Sequence, residues 1–139
     1  MVVGALIADS RTGTVREMAV EPLEVAYPEV QPLADGGLLV VDARVVYGSP
    51  PNARVIAPDR RVRRAIMFGD GVEHVLVDRL DRAWVGYLDE GVFGNLGWGV
   101  PGPEPIGSPG LLRFDLRTAT SSGRSDRPRA VTTSPIATP

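Results

Sequence analysis

Glu73 and His74 place a carboxylate and an imidazole side by side in the sequence. Such a pair can hold a metal ion or exchange protons, because imidazole titrates near neutral pH. Both residues lie in an apolar run typical of a β-strand, where adjacent side chains point to opposite faces. We therefore predict that the two side chains do not converge on one ligand and that His74 is a hydrogen-bonded structural histidine.

A second polar group consists of Asp89, Glu90 and Asn95, which are interleaved with glycine. Their oxygens would suit a hard cation such as Ca²⁺. The D-x-[DN]-x-[DN]-G order of a calcium-binding loop is absent, however, and Asp, Gly and Asn are also the residues of tight turns. A ligand site and a simple turn both remain open as interpretations.

The two tryptophans have different surroundings in the sequence. Trp84 lies inside an apolar run, which predicts that its indole is buried between sheets. Trp98 lies in a segment rich in Gly and Pro, and loops on a rigid scaffold carry recognition more often than strands do. Trp98 is therefore the candidate for ligand binding, and Trp84 the candidate for the core.

The overall composition excludes several classes of site. The chain has no cysteine and one histidine, which rules out disulfides, thiolate metal sites and sites with two or three histidines. The motifs of P-loop, nucleophile-elbow, dinucleotide-binding and zinc-protease enzymes are absent. We predict no catalytic residue, no cofactor and no metal.

Charge and hydropathy limit the partners. The formal net charge is −2, which argues against a dedicated nucleic-acid binder. The densest basic cluster, Arg60, Arg61, Arg63 and Arg64, predicts a charged edge strand that resists edge-to-edge pairing. The first apolar run ends at Asp9, too short for a signal peptide or a membrane span, so we expect a cytoplasmic protein without a membrane partner.

Apolar runs of three to six residues, separated by Gly, Pro, Asp and Asn, predict strands and turns and no long helix. From residue 118 to the end the sequence is rich in Ser, Thr, Pro and Arg and has no aromatic residue, which predicts disorder. The predicted strands are Val3–Ala8, Val15–Val20, Glu29–Pro32, Gly37–Asp42, Arg44–Tyr47, Arg54–Ala57, Arg63–Phe68, Val72–Val77, Ala83–Tyr87 and Leu111–Phe114.

The predicted strands recur along the chain. Aligning Asp35 with Asp81 places one pattern of strand, turn and stronger apolar strand over another, 46 residues later. The apolar strand that ends at Asp59 resembles the one that ends at Asp115, which implies about ten extra residues in the later unit, within Gly97–Gly107. Antiparallel units at this spacing are typical of propeller blades. We predict a four-stranded antiparallel sheet over 29–68.

The segments Asp81-Arg-Ala-Trp-Val-Gly-Tyr87 and Pro105-Ile-Gly-Ser-Pro-Gly-Leu-Leu-Arg-Phe-Asp115 resemble those of actinobacterial β-propeller proteins of the NHL or WD-repeat-like type. The resemblance covers about 29–115 and implies an all-β fold of antiparallel four-stranded repeat units. It implies a partial β-propeller of about two to two and a half blades: a partial blade over 1–28, a blade over 29–68 and a partial blade over 69–117.

The function expected from this architecture is a scaffold or binding module that presents loops to a protein or a small-molecule ligand. Self-association through open blade edges is a further expectation. The alternatives are a fragment of a metal-dependent lactonase or gluconolactonase-like hydrolase, or a truncated gene product without an independent function. Ligand-binding candidates are Trp98, Asn95, Asp89, Glu90, Glu73 and His74, and the hydrolase would need a metal held by Glu73, Asp89, Glu90 and Asn95.

Overall fold

The computed structural model describes residues 3–9, 11–20, 26–118, 120–122, 128–130 and 133–134, and the side chains of 11–15 and 26–118. The regular secondary structure of the described residues is almost entirely β, as the sequence predicts. Its one described helix, α1, is the single short turn Asp89–Phe93. The strands are β1 Val3–Asp9, β2 Thr14–Val20, β3 Pro28–Pro32, β4 Leu38–Asp42, β5 Ala53–Ile56, β6 Val62–Ile66, β7 Val72–Val77, β8 Arg82–Tyr87, β9 Leu111–Asp115, β10 Thr120–Ser122, β11 Pro128–Ala130 and β12 Thr133–Ser134.

The strands form a hairpin and two larger antiparallel sheets. Strands β1 and β2 pair with each other. The first sheet is the meander β3–β4–β5–β6, with β12 beside β6. The second sheet is the meander β7–β8–β9, continued by β10 and β11. The four-stranded antiparallel unit predicted for 29–68 is therefore confirmed.

The central strand β4 of the first sheet is apolar on both faces. On β4, Leu38 and Val40 point to one face and Leu39 and Val41 to the other, and all four are buried. A strand covered on both faces loses the usual alternation between apolar and polar residues. The second sheet differs, because β8 alternates buried and exposed positions and so has one covered face.

The core lies between the two sheets. The buried cluster joins Leu39 and Val55 of the first sheet to Val85 and Leu112 of the second. Phe68, just after β6, stacks on Phe114 of β9 with ring centroids 4.2 Å apart and planes inclined by 25°. This offset stacking adds to the area that the two rings bury and fixes how one sheet lies on the other.

The two ends of the sheets carry different connections. At one end, which we call the turn end, five-residue turns span 33–37, 57–61 and 78–82, each with the same two backbone hydrogen bonds. The fourth residue of each turn has a positive φ: Gly36 at 91°, Arg60 at 74° and Asp81 at 54°. At the other end, the loop end, lie the connections 43–52, 67–71 and 88–110, of which the first and the last are longer than the turns.

These turns correct the register of the sequence repeat. Leu38 pairs with Pro32 after the first turn, and Ala83 pairs with Val77 after the third, so equivalent positions are 45 residues apart. Asp81 is thus equivalent to Gly36, and the predicted alignment of Asp35 with Asp81 is wrong by one residue. Asp81 occupies a left-handed position that favours Gly, Asn and Asp, which explains why an aspartate there misled the alignment.

The inserted residues fall in the predicted segment, but the predicted alignment of the strand that ends at Asp59 with the one that ends at Asp115 is out of register by two residues. Leu38 pairs with Ile56, and its equivalent Ala83 pairs with Phe114, so β9 lies 58 residues after its counterpart. The extra length is in the connection 88–110, which contains α1 and the segment Gly97–Gly107. We call 88–110 the insertion.

One predicted strand, Arg44–Tyr47, is wrong. The amide of Val45 donates to Asp70 and that of Tyr47 donates to the carbonyl of Leu96, so its backbone bonds to loops instead of a neighbouring strand. The predicted charged edge strand is also corrected. Arg60 and Arg61 lie in a turn, and β6 pairs with β12 on its far side.

The segment predicted to be disordered, 118–139, lies mostly outside the described residues. Within it the structure describes the short strands β10, β11 and β12. In the described part of the chain, no helix has the length and apolar character needed to cross a membrane.

Candidate functional site

A buried carboxylate organises the loop end. Asp70 lies between β6 and β7, is 3% exposed, and accepts two hydrogen bonds from the Arg44 guanidinium, at 2.8 and 3.2 Å, and one from the amide of Val45 at 3.0 Å. The hydrogen bond to Asp70 raises the pKa of Arg44, against the opposing effect of burial. A paired, bidentate contact satisfies a buried charge that would otherwise be costly. It ties the loop 43–52 to the connection 67–71.

Asn52 makes a second link between the same two connections. Its Nδ2 donates to the carbonyls of Asp42 at 2.8 Å and Gly69 at 2.9 Å, and its Oδ1 accepts from the amide of Phe68 at 2.8 Å. The side chain is buried and uses both its donor and its acceptor groups. The side-chain amide of Asn52 thus provides hydrogen-bond partners for two backbone carbonyls and one backbone N–H group.

The insertion packs closely against the connection 67–71 and the end of β8, with its backbone near theirs. The amide of Leu88 donates to the carbonyl of Gly71 at 2.7 Å, and a Cβ on Gly71 would lie 2.4 Å from the Gly91 nitrogen. A Cβ on Gly107 would lie 2.4 Å from the Tyr87 ring. Tyr87 itself is buried, and its hydroxyl donates to the carbonyl of Phe68 at 2.6 Å. Burial raises the pKa of this hydroxyl well above its ordinary value.

Trp98 holds the insertion against the loop 43–52. Its Nε1 donates to the carbonyl of Val45 at 3.0 Å, and its ring meets Tyr47 edge-on, with centroids 5.3 Å apart. The amide of Tyr47 donates to the carbonyl of Leu96 at 2.9 Å. Trp98 is half-buried, so the predicted ligand-binding residue also has a positioning role in joining two loops.

Six large apolar side chains on these two joined loops are exposed, and we call all of them except Leu88 the loop surface. Their exposed fractions are large for residues held in fixed loops, with Phe93 at 79% and Val100 at 100%. Large apolar side chains grouped in this way mark interaction sites more often than scattered ones do. The loop surface comprises Val46, Tyr47, Phe93, Leu96 and Val100.

The predicted polar candidates lie around the loop surface. Asp89 and Glu90 are exposed in the first turn of α1, the same short helix that ends at Phe93. Asn95 is a turn residue, whose Oδ1 accepts from the amide of Leu96 at 2.7 Å and whose carbonyl accepts from the amide of Trp98 at 3.0 Å. In the part of the chain that the structure describes, no three Asp, Glu or His side chains are grouped to hold a metal ion.

Glu73 and His74 lie closer together than strand alternation predicts. A β-bulge between Val72 and His74 breaks the alternation, and the two side chains are both exposed with Oε1 and Nε2 3.9 Å apart. The expectation that they face opposite sides is therefore wrong, because a bulge inserts an extra residue. His74 is 83% exposed, which also contradicts the prediction of a structural histidine.

Trp84 is not in the core. It lies on the outer face of the second sheet with 36% of its surface exposed. Its Nε1 donates to Asp78 Oδ2 at 3.1 Å, and the Arg113 guanidinium lies 5.6 Å from its ring centroid. Burial alone would raise the pKa of Asp78, but hydrogen bonds from Trp84 and from the Arg82 and Leu80 amides outweigh it and lower that pKa.

A small cleft at the turn end is lined by Arg63, Arg64 and Arg117. Each arginine already has a partner. Arg63 lies 3.2 Å from Asp35, Arg64 donates to the carbonyl of Leu116, and Arg117 lies 3.8 Å from Asp115. The charges of this cleft are thus largely compensated within the protein.

Sequence reasoning identified the insertion and Trp98 but missed Tyr47, Phe93 and Val100. The crowding of Gly and Pro marks the insertion as a loop, but which of its apolar residues stay exposed depends on how it docks on the loop 43–52. Comparison with family models, curated proteins and solved structures finds no match to this chain.

Proposed function

We propose that the chain is a non-catalytic binding module that contacts a partner protein through the loop surface. The observation that carries this proposal is the exposure of Phe93 and Val100 on loops that are fixed from beneath by Trp98 and Asp70. Burying one large apolar side chain is worth about 1.5–3 kcal/mol, so a few of them suffice for recognition. Loops that are already ordered lose little conformational entropy when they bind.

We further propose that the two sheets are blade-like units. The 45-residue equivalence of β4 and β8 and the packing of one sheet on the next support this. In such an arrangement the connections of successive units gather at one rim. The loop surface would be part of that rim.

The test is a selection for binding peptides. A displayed library of random peptides is panned on the folded chain, and the recovered peptides are measured by fluorescence polarisation against the wild type, Phe93→Ser and Leu76→Ser. Leu76 is the matched control, because it is 64% exposed but lies on the outer face of the second sheet.

The proposal predicts that Phe93→Ser weakens binding at least about tenfold, equivalent to about 1.4 kcal/mol, whereas Leu76→Ser changes it less than about twofold. Unchanged thermal midpoints for both variants show that folding is intact. Recovery of no peptides, or of peptides that depend on Leu76 and not on Phe93, would refute the loop surface as the binding site.

A further inference from the structure

We propose that the segment bound at the loop surface is cationic as well as apolar: a peptide that bears arginine or lysine among its apolar residues. This inference rests on the proposed function. Its evidence is the distribution of charged residues around the loop surface. The apolar side chains alone would not indicate the charge of the bound segment.

The insertion carries acidic residues and no basic ones. Residues 88–110 include Asp89, Glu90 and Glu104 and no Arg, Lys or His. All three carboxylates are exposed, and Asp89 and Glu90 lie four and three residues before Phe93 in α1. A ligand that covers Phe93 therefore approaches two carboxylates at close range.

The neighbouring loop offsets these charges only in part. Arg44 is the basic residue of 43–52, and it is bound in a bidentate pair to Asp70 that is neutral as a unit. The pKa of Arg44 is raised mainly by its hydrogen bond to Asp70 and to a smaller extent by the charge of Glu90, so Arg44 offsets part of the charge of Glu90 as well. Across the three connections of the loop end, one arginine faces four carboxylates: Asp70, Asp89, Glu90 and Glu104.

The exposed rings add a second means of recognising a cation. Tyr47 is 54% exposed and Phe93 79% exposed. An arginine or lysine of the partner can lie over the Phe93 ring while its charge approaches Asp89 or Glu90 of the same short helix, and Tyr47 offers a second exposed ring. Arginine suits both contacts, because its guanidinium is planar and binds carboxylates in a bidentate manner.

The opposite end of the molecule has no such excess of carboxylates. The turn end carries Arg60, Arg61, Arg63, Arg64 and Arg117. Three of them, Arg61, Arg63 and Arg117, pair with Asp59, Asp35 and Asp115, so this end does not attract a cationic segment. A cationic peptide is thus steered toward the loop end over distances of about one Debye length, about 8–10 Å at physiological salt. Anionic membranes and nucleic acids would be repelled from the same surface.

The test uses the library peptides whose binding requires Phe93. Affinities are measured at about 50 mM and about 300 mM NaCl, where screening differs strongly. They are measured for the wild type, for the triple variant Asp89→Asn/Glu90→Gln/Glu104→Gln, and for Asp59→Asn. Asp59 is the control because it is an exposed carboxylate in a turn at the opposite end.

We expect these peptides to be enriched in Arg and Lys. We expect binding to weaken about fivefold or more in the triple variant and at high salt, and less than about twofold in Asp59→Asn. Neutral or anionic peptides that still require Phe93, or affinities indifferent to salt and to the triple variant, overturn this inference while leaving the binding module intact.

Two further outcomes contradict it in other ways. Phe93-dependent binding to vesicles of anionic phospholipid would replace the peptide with a membrane. Phe93-dependent self-association, measured by sedimentation, would replace it with a second copy of the chain docking its basic turn end. Loss of Phe93 dependence altogether removes the proposed function, and the charge inference with it.

Discussion

Single buried polar residues determine how the loop end is built. Asp70 and Asn52 together satisfy backbone amides and carbonyls of two connections that have no strand partners. Each makes three hydrogen bonds, and every buried side-chain polar atom in the described part of the chain has a partner. Such satisfied networks favour one arrangement of the loops over many.

Tyr87→Phe tests one of these contacts. The substitution keeps the ring that covers Gly107 and removes the hydrogen bond to the carbonyl of Phe68. We expect the free energy of unfolding at pH 7 to fall by about 1–2 kcal/mol, measured by urea denaturation. Tyr47→Phe, which changes an exposed hydroxyl, should have an effect of less than about 0.5 kcal/mol.

The stability difference between the wild type and Tyr87→Phe should depend on pH. Burial raises the folded-state pKa of Tyr87 above its unfolded value of about 10. A raised folded pKa means that the stabilisation is fully present below the unfolded pKa and is lost as the pH rises above it. The stability advantage of the wild type over Tyr87→Phe should therefore shrink above about pH 10. A constant advantage up to alkaline unfolding would contradict this account.

At the scale of elements, glycines let the insertion lie directly on the sheets. Gly107 approaches the Tyr87 ring, and Gly71 approaches the backbone of α1. A side chain at either position would have to displace a buried ring or backbone atoms. These glycines therefore determine how closely the insertion, with its exposed residues Phe93, Leu96 and Val100, packs on the sheets.

Gly107→Ala tests this docking. Its Cβ would lie 2.4 Å from the Tyr87 ring and 2.7 Å from the carbonyl oxygen of Gly91, so we expect a loss of about 1–3 kcal/mol in the free energy of unfolding. Gly86→Ala is the control, because the nearest atom to its Cβ is 3.9 Å away. Hydrogen exchange should show faster exchange in 88–110 for Gly107→Ala alone. Equal stability of the two variants would show that the insertion does not depend on this contact.

The elements also show which parts of the sequence were predictive. Short apolar runs bounded by turn residues gave nine of the ten predicted strands, because β-strands and tight turns depend mainly on local sequence. The failures depend on distant partners. Arg44–Tyr47 has a strand-like pattern, but Asp70 and Leu96 take its hydrogen bonds, and neither can be assigned from the local sequence.

At the scale of the whole molecule, the two sheets do not bury equivalent faces against each other. Leu39 and Val55 face the second sheet, whereas their equivalents in that sheet, Trp84 and Arg113, lie on its outer face. The predicted burial of Trp84 failed for this reason. The alternation of residues along a strand shows which side chains share a face of the sheet, but not whether another sheet covers that face. Here no other sheet that the structure describes covers the face of Trp84, and the indole contacts Asp78 and Arg113 instead.

The candidate site was predictable only in outline. The crowding of Gly and Pro around Trp98 located the functional loop, but the exposure of Phe93 and Tyr47 arises from the docking of two loops that are far apart in sequence. Glu73 and His74 lie together because of a β-bulge, and no residue in this segment predicts a bulge from its type alone. Tertiary contacts decide these features, and residue spacing alone does not contain them.

An NMR titration of the ¹⁵N-labelled chain with a recovered peptide tests the loop surface most directly. The proposed binding mode predicts that amide shift changes concentrate in 43–52 and 88–110, with the largest around Tyr47, Phe93 and Leu96. It also predicts that they disappear in Phe93→Ser. Shift changes centred on the outer face of the second sheet, around Leu76 and Trp84, or on the arginines of the turn end, would contradict the assignment of the loop surface as the binding site.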